Sequence, residues 1–137
     1  MTSLFTTTRS RRLAFAADVT PATVYVCAVF YGGLIRLSKL PEVGFMPTDK
    51  LLHGLAFGGL ALLLFRAARA LRQWRTPSGR LWFGAFGSSF FGAALEICQH
   101  FVPYRSAEFL DWLADTVGAL LAVGLLALVL RMRREHA

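Results

Sequence analysis

The sequence predicts an all-α membrane protein, a four-transmembrane-helix bundle with both termini cytoplasmic. Three observations predict it. Hydrophobic residues make up 55% of the 137-residue chain, and mean hydropathy is +0.51. The apolar residues gather in four long blocks rather than in the shorter alternation of a soluble domain. Arginines stand at the ends of those blocks, where they act as a topology signal.

A spanning helix needs about 20 mostly apolar residues. The first block predicts a helix over 19–37, with Thr20 as N-cap and Pro21 in the first turn. Residues 1–18, rich in Thr, Ser and Arg, read as a mobile cytoplasmic tail. No small-residue cleavage site follows a short apolar region, so the first helix reads as retained rather than as a signal peptide. The second helix is predicted over 49–65, the third over 81–101 and the fourth over 109–130. Pro41, Gly44 and Pro47, then Pro77 and Gly79, then Pro103 break the chain between them. Residues 131–137 form a basic cytoplasmic tail. One membrane domain over 19–130 leaves no length for a separate soluble catalytic domain.

Charge sets the orientation. Arg9, Arg11, Arg12, Arg66, Arg69, Arg72, Arg75, Arg80, Arg131, Arg133 and Arg134 fall on one side, against Asp18 and Glu135, which leaves +9 there. The other side carries Arg36, Lys39, Lys50 and Arg105 against Glu42, Asp49, Glu96, Glu108, Asp111 and Asp115, which leaves −2 and completes the net +7. Positive residues stay in the cytoplasm, so the acidic side faces outward. The same distribution argues against a nucleic-acid partner, because the arginines flank apolar blocks instead of lining an amphipathic face. Trp82, Tyr104 and Trp112 near helix ends fit interfacial anchors. Cys27 and Cys98, without a C-x-x-C, read as buried thiols.

Polar groups inside a span are costly, about 2.5–3.5 kcal/mol for a charge at a helix centre, so their positions carry information. Asp49 and His53 share a face of the second helix. Glu96, Gln99 and His100 share a face at the end of the third, and Glu108, Asp111 and Asp115 open the fourth. Each polar face continues as small residues: Gly54 and Gly58; Gly84, Ser88 and Gly92; Gly118 and Ala122. Such stripes mark close helix contact in lipid. The helices therefore meet on the faces that carry the polar groups, which points to one outward pocket of Asp49, Lys50, His53, Glu96, Gln99, Arg105, Asp111 and Asp115.

Singly, each of these residues also has a structural reading. Asp49, Ser106 or Asp111 can cap a helix, and the whole set can be a salt-bridge network that fixes the bundle. Lys50 and Arg105 suit an anionic phosphate or carboxylate. His53, Glu96 and Asp115 have the ligand types for a divalent metal. The chain has no H-E-x-x-H, no G-x-S-x-G and no activated-nucleophile pattern. No cofactor is predicted, and the balance leans away from an enzyme. The alternatives are a metal-dependent enzyme acting on lipid-linked substrates and a structural or assembly subunit of a membrane complex.

Asp49-Lys50-x-x-His53, Glu96-x-x-Gln99, Pro103-x-Arg105 and Asp111-x-x-x-Asp115-x-x-Gly118 together resemble the VanZ-like integral membrane proteins. The resemblance runs from Thr48 to the end of the fourth helix. An asparagine is usual in that family where this chain has Asp115, so an acid here adds a negative charge. The resemblance implies a helical bundle in the bacterial cytoplasmic membrane and a link to the cell envelope, through the namesake's association with teicoplanin resistance. Expected partners are membrane lipids, an anionic envelope ligand and a membrane-protein partner.

Overall fold

The computed structural model describes residues 2–35, 48–71 and 74–136, with the side chains of residues 2–11 and 48 outside that description. Four helices form it: α1 (Thr2–Leu34), α2 (Thr48–Ala67), α3 (Pro77–His100) and α4 (Phe109–Glu135), with a 3₁₀ turn, Ala68–Ala70, after α2. All four are long and apolar enough to cross a membrane. The predicted first-loop residues Arg36, Lys39, Pro41, Glu42, Gly44 and Pro47, the predicted end of the first helix at Leu37, and Arg72 lie outside the described residues.

Connectivity makes two ends. The C-termini of α1 and α3 and the N-termini of α2 and α4 share one end, and the opposite termini share the other. The first is the polar end and the second the arginine end. α2 sits at the centre, packed on α4, on α3 and on α1, whereas α1 makes no contact with α4 among the described residues. Phe57, Leu60, Ala61 and Leu64 of α2 are buried against Leu95 and Ala85 of α3 and Ala119 and Val123 of α4. Outward-facing Phe86, Phe90, Ile97, Leu121 and Leu125 are exposed, as residues directed at lipid are.

The small-residue stripes are where the backbones touch. A Cβ on Gly84 would lie 2.5 Å from the Ala61 carbonyl oxygen, and one on Gly58 would lie 3.1 Å from that of Gly118. A Cβ on Gly118 would overlap the Gly54 backbone outright, with its Cα at 2.6 Å. Ser88, fully buried, donates its hydroxyl proton to the Phe57 carbonyl at 2.6 Å. All six predicted packing residues lie at helix contacts, the sixth being Gly92 against Asp115.

The first helix differs from expectation. It starts at Thr2, so the stretch read as a tail is helical, and Pro21 lies inside it rather than in its first turn. Proline lacks an N–H and so orphans the carbonyl four residues earlier, that of Ala17. Arg66 at the end of α2 supplies the missing donor, its Nη2 reaching the Ala17 oxygen at 3.1 Å. Asp18 beside it receives Arg66 Nε at 3.4 Å and Arg69 Nη2 at 2.5 Å. This clamp allows a proline in mid-helix. It also sets Asp18 beside the end of α2.

Other caps differ too. Thr76 caps α3 by accepting the Gly79 N–H at 3.0 Å, with Pro77 in the first turn, so the predicted breakers Pro77 and Gly79 begin a helix. At α4 the N-cap is Glu108 rather than Ser106 or Asp111, without a side-chain capping bond. Cys27 is exposed rather than buried, Cys98 is half-buried, and both are free.

Candidate functional site

The polar end gathers the predicted side chains from three helices. α2 presents Asp49, Lys50 and His53 within its first two turns, and α4 presents Asp111 and Asp115 one turn apart, facing α2. Lys50 Nζ lies 2.5 Å from Asp111 Oδ1 and 3.1 Å from Glu108 Oε2. His53 Nδ1 lies 2.9 Å from Asp115 Oδ1, and its Nε2 lies 3.9 Å from Asp111 Oδ2. From α3, Glu96 Oε2 accepts the Glu108 backbone N–H at 2.8 Å, fastening the end of α3 to the start of α4. The Phe57 ring lies nearly parallel to the imidazole one turn deeper, with centroids 6.4 Å apart, and forms an apolar floor.

Depth differs across the cluster. Asp115 is 0% exposed, Asp111 5% and Glu96 8%, while Asp49 and Glu108 are exposed. Asp115 has room because Gly92 faces it: a Cβ there would sit 2.7 Å from Asp115 Oδ2. Asp115 Oδ2 and Glu96 Oε1 are both buried and have no hydrogen-bond partner. Donor atoms of His53, Glu96 and Asp115 lie within 4.8 Å of one another, and so do those of Asp49, His53 and Asp111. Two helix N-termini point at this acidity, each equivalent to roughly half a positive charge, which favours Asp49 and Asp111 in their first turns.

Two predicted members turn elsewhere. Gln99 Nε2 donates to the Gly33 carbonyl at 2.9 Å, and Arg105 Nη2 donates to Ile35 at 2.7 Å and to Gly32 at 3.4 Å. Tyr104 adds its hydroxyl to the Leu34 oxygen at 3.0 Å. Together they satisfy the carbonyls that the last turn of any helix leaves open. Arg105 thus caps α1 instead of lining the pocket with a free guanidinium. His100 also stays out, exposed and edge-on to Phe101.

A second polar seam joins α3 to α4 just below the site. Ser89 Oγ and Thr116 Oγ1 are 2.8 Å apart, and Trp112 Nε1 donates to the Ser89 carbonyl at 3.2 Å. The i,i+4 spacing of Trp112 and Thr116 was the available signal for it. Glu108 is likewise more central than its place outside the eight predicted residues, since it meets both Lys50 and Glu96.

Between α2 and α4 an open-sided groove of about 800 Å³ runs from Lys50 into the apolar zone. Leu55 and Leu62 line it on one side, Leu121 and Leu125 on the other, and Gly58 and Gly118 lie along its length.

The VanZ/LLP1 family model matches residues 5–130 of this chain. No curated protein and no solved structure matches it.

Proposed function

From the chain's membership in the VanZ/LLP1 family, we propose that it is an envelope protein of the bacterial cytoplasmic membrane whose outward polar pocket receives the anionic head of an envelope amphiphile. The positive-inside rule supports the direction, since Arg66, Arg69, Arg80, Arg131, Arg133 and Arg134 belong to the end opposite the pocket. One observation carries the reading: the α2–α4 groove is apolar along its length and begins at Lys50, a cation. A chain of lipid type fits the apolar length, and a phosphate or carboxylate fits the ammonium.

Lys50 has a weak partner to exchange. Glu108 is half-exposed, and an ion pair of that kind is worth about 0–1 kcal/mol. An anionic head displaces it while Asp111, buried, keeps Lys50 in place. Arg105 has no part in this step, because it holds the end of α1.

The test uses photoactivatable phosphatidylglycerol and phosphatidylcholine with the full chain in mild detergent. Labelling should concentrate on groove residues of α2 and α4, favour the anionic lipid, and fall in Lys50→Gln and in Leu55→Trp, which fills the groove. Equal labelling by both lipids, or labelling unchanged in Lys50→Gln, would overturn the reading. Teicoplanin susceptibility addresses the resistance link: the protein should lower it, and Lys50→Gln should not. Equal susceptibility with and without the protein would remove the link.

A further inference from the structure

We propose that His53, Glu96 and Asp115 hold one divalent cation of the zinc or manganese class. The site stands apart from the amphiphile reading, because it is built from the buried side chains behind Lys50.

Donor chemistry is the first ground. One imidazole from α2 and one carboxylate each from α3 and α4 bring their ligand atoms within 4.8 Å of one another. A mixed nitrogen and carboxylate set suits zinc and manganese, and three protein donors leave a further position for water or a ligand oxygen. No cysteine belongs to the group among the described residues, so a thiolate-selected metal such as copper(I) does not fit.

The second ground is independent of that spacing. Asp115 and Glu96 are each more than nine-tenths buried, and each keeps one oxygen with no hydrogen-bond donor. An acceptor-only oxygen in a low-dielectric interior is costly unless something positive or protic meets it. Lys50 does not serve, being bound to Asp111 and Glu108. Among the described residues, Glu96 and Asp115 have only His53 beside them as a basic group, since Lys50 is held by Asp111 and Glu108 and Arg105 by the α1 carbonyls; two buried carboxylates beside one imidazole leave negative charge that a divalent ion balances. Asp115 Oδ2 also points at Gly92, one turn before Glu96, where the missing side chain lets it approach α3.

Binding needs a small adjustment. Two ligands of one tetrahedral ion with bonds of about 2.0–2.1 Å stand about 3.3 Å apart. His53 Nδ1 and Asp115 Oδ1 are 2.9 Å apart. Opening this contact by a few tenths of an ångström, while Glu96 closes in, seats the ion. A His53 nitrogen then meets metal instead of the Asp115 oxygen, and Asp111 stays beside the other ring nitrogen to orient it.

The experiment takes the full chain, without a histidine tag, stripped by chelator in mild detergent and titrated separately with zinc and manganese. Elemental analysis after desalting should find about one ion per chain, and the bound ion should raise the unfolding temperature. Asp115→Asn and Glu96→Gln, which keep side-chain shape, should each weaken binding about tenfold or more. His100→Gln and His136→Gln should bind as wild type does. If one of the two ligand variants fails to fold, the other carries the comparison. Absence of stoichiometric metal would overturn the proposal and leave protons as the neutralising groups. Equal binding by the ligand variants and wild type, or equal losses in the two control variants, would overturn it as well.

Discussion

Replacing Gly118 with alanine is expected to loosen the whole polar end, because the two central helices cross there without room for a side chain. The new Cβ would fall inside the contact distance of Gly54, whose Cα and carbonyl carbon would both lie at 2.6 Å. Ordinary contact begins near 3.4 Å, and the Gly54 carbonyl oxygen would lie closer still than its carbons, so α2 and α4 must separate by more than an ångström. Forced overpacking costs typically about 1–3 kcal/mol, and a backbone-to-backbone clash belongs near the top of that range. A gap of 0.5–1 Å also forfeits roughly a quarter to a half of each dispersion contact along the seam. Alanine's better helix propensity returns about 1 kcal/mol. The net loss should be about 2 kcal/mol. His53 and Lys50 lie within four residues of Gly54, and Asp115 and Asp111 within seven of Gly118. The same separation should therefore stretch the 2.9 Å His53–Asp115 and 2.5 Å Lys50–Asp111 contacts. Equilibrium unfolding in mild detergent measures the loss, with Gly124→Ala as reference, since nothing lies within 4 Å of a Cβ there. An unfolding free energy for Gly118→Ala within about 0.5 kcal/mol of that reference would refute the packing argument.

Two further outcomes follow from contacts at either end. Arg66→Ala should destabilise by about 1 kcal/mol in wild type but by less in a Pro21→Ala background, where residue 21 regains an N–H for the Ala17 carbonyl; a double-mutant cycle that shows additivity removes the clamp. Gln99→Leu and Arg105→Ala should speed amide hydrogen exchange in the last turns of α1 while leaving α4 protected, and unchanged exchange near Gly33 would contradict the capping role.

How much of this was legible in the sequence depends on the range over which each signal acts. The four spans rest on composition over some twenty residues, and hydropathy alone finds them. The glycine and serine stripes are equally local: Gly84, Ser88 and Gly92 recur once per turn, and each meets a neighbouring helix. The convergence of His53, Glu96 and Asp115 was readable because each polar face runs into a small-residue stripe, so helices in contact bring those faces together. What escaped depends on distant partners. The fate of Pro21 turns on Arg66, 45 positions away in the chain, which meets the Ala17 carbonyl only once α1 and α2 have packed. Arg105 looked like an anion-binding cation because its spacing carries no hint of the α1 carbonyls at Gly32 and Ile35. The early start of α1 was hidden for another reason: the residues before Leu13 are mostly Thr, Ser and Arg, too polar to register as a span.

If the polar groups of α2 and α4 share one buried site, His53 and Asp115 must be energetically coupled, and that coupling is the most direct measurement of it. Unfolding free energies of His53→Ala, Asp115→Asn and the double variant, measured in the same detergent, give that coupling as the departure from additivity. A shared site with contact at 2.9 Å predicts a coupling of about 1 kcal/mol or more. Effects that add within about 0.5 kcal/mol would mean that the two residues act separately, and the single polar pocket would be contradicted.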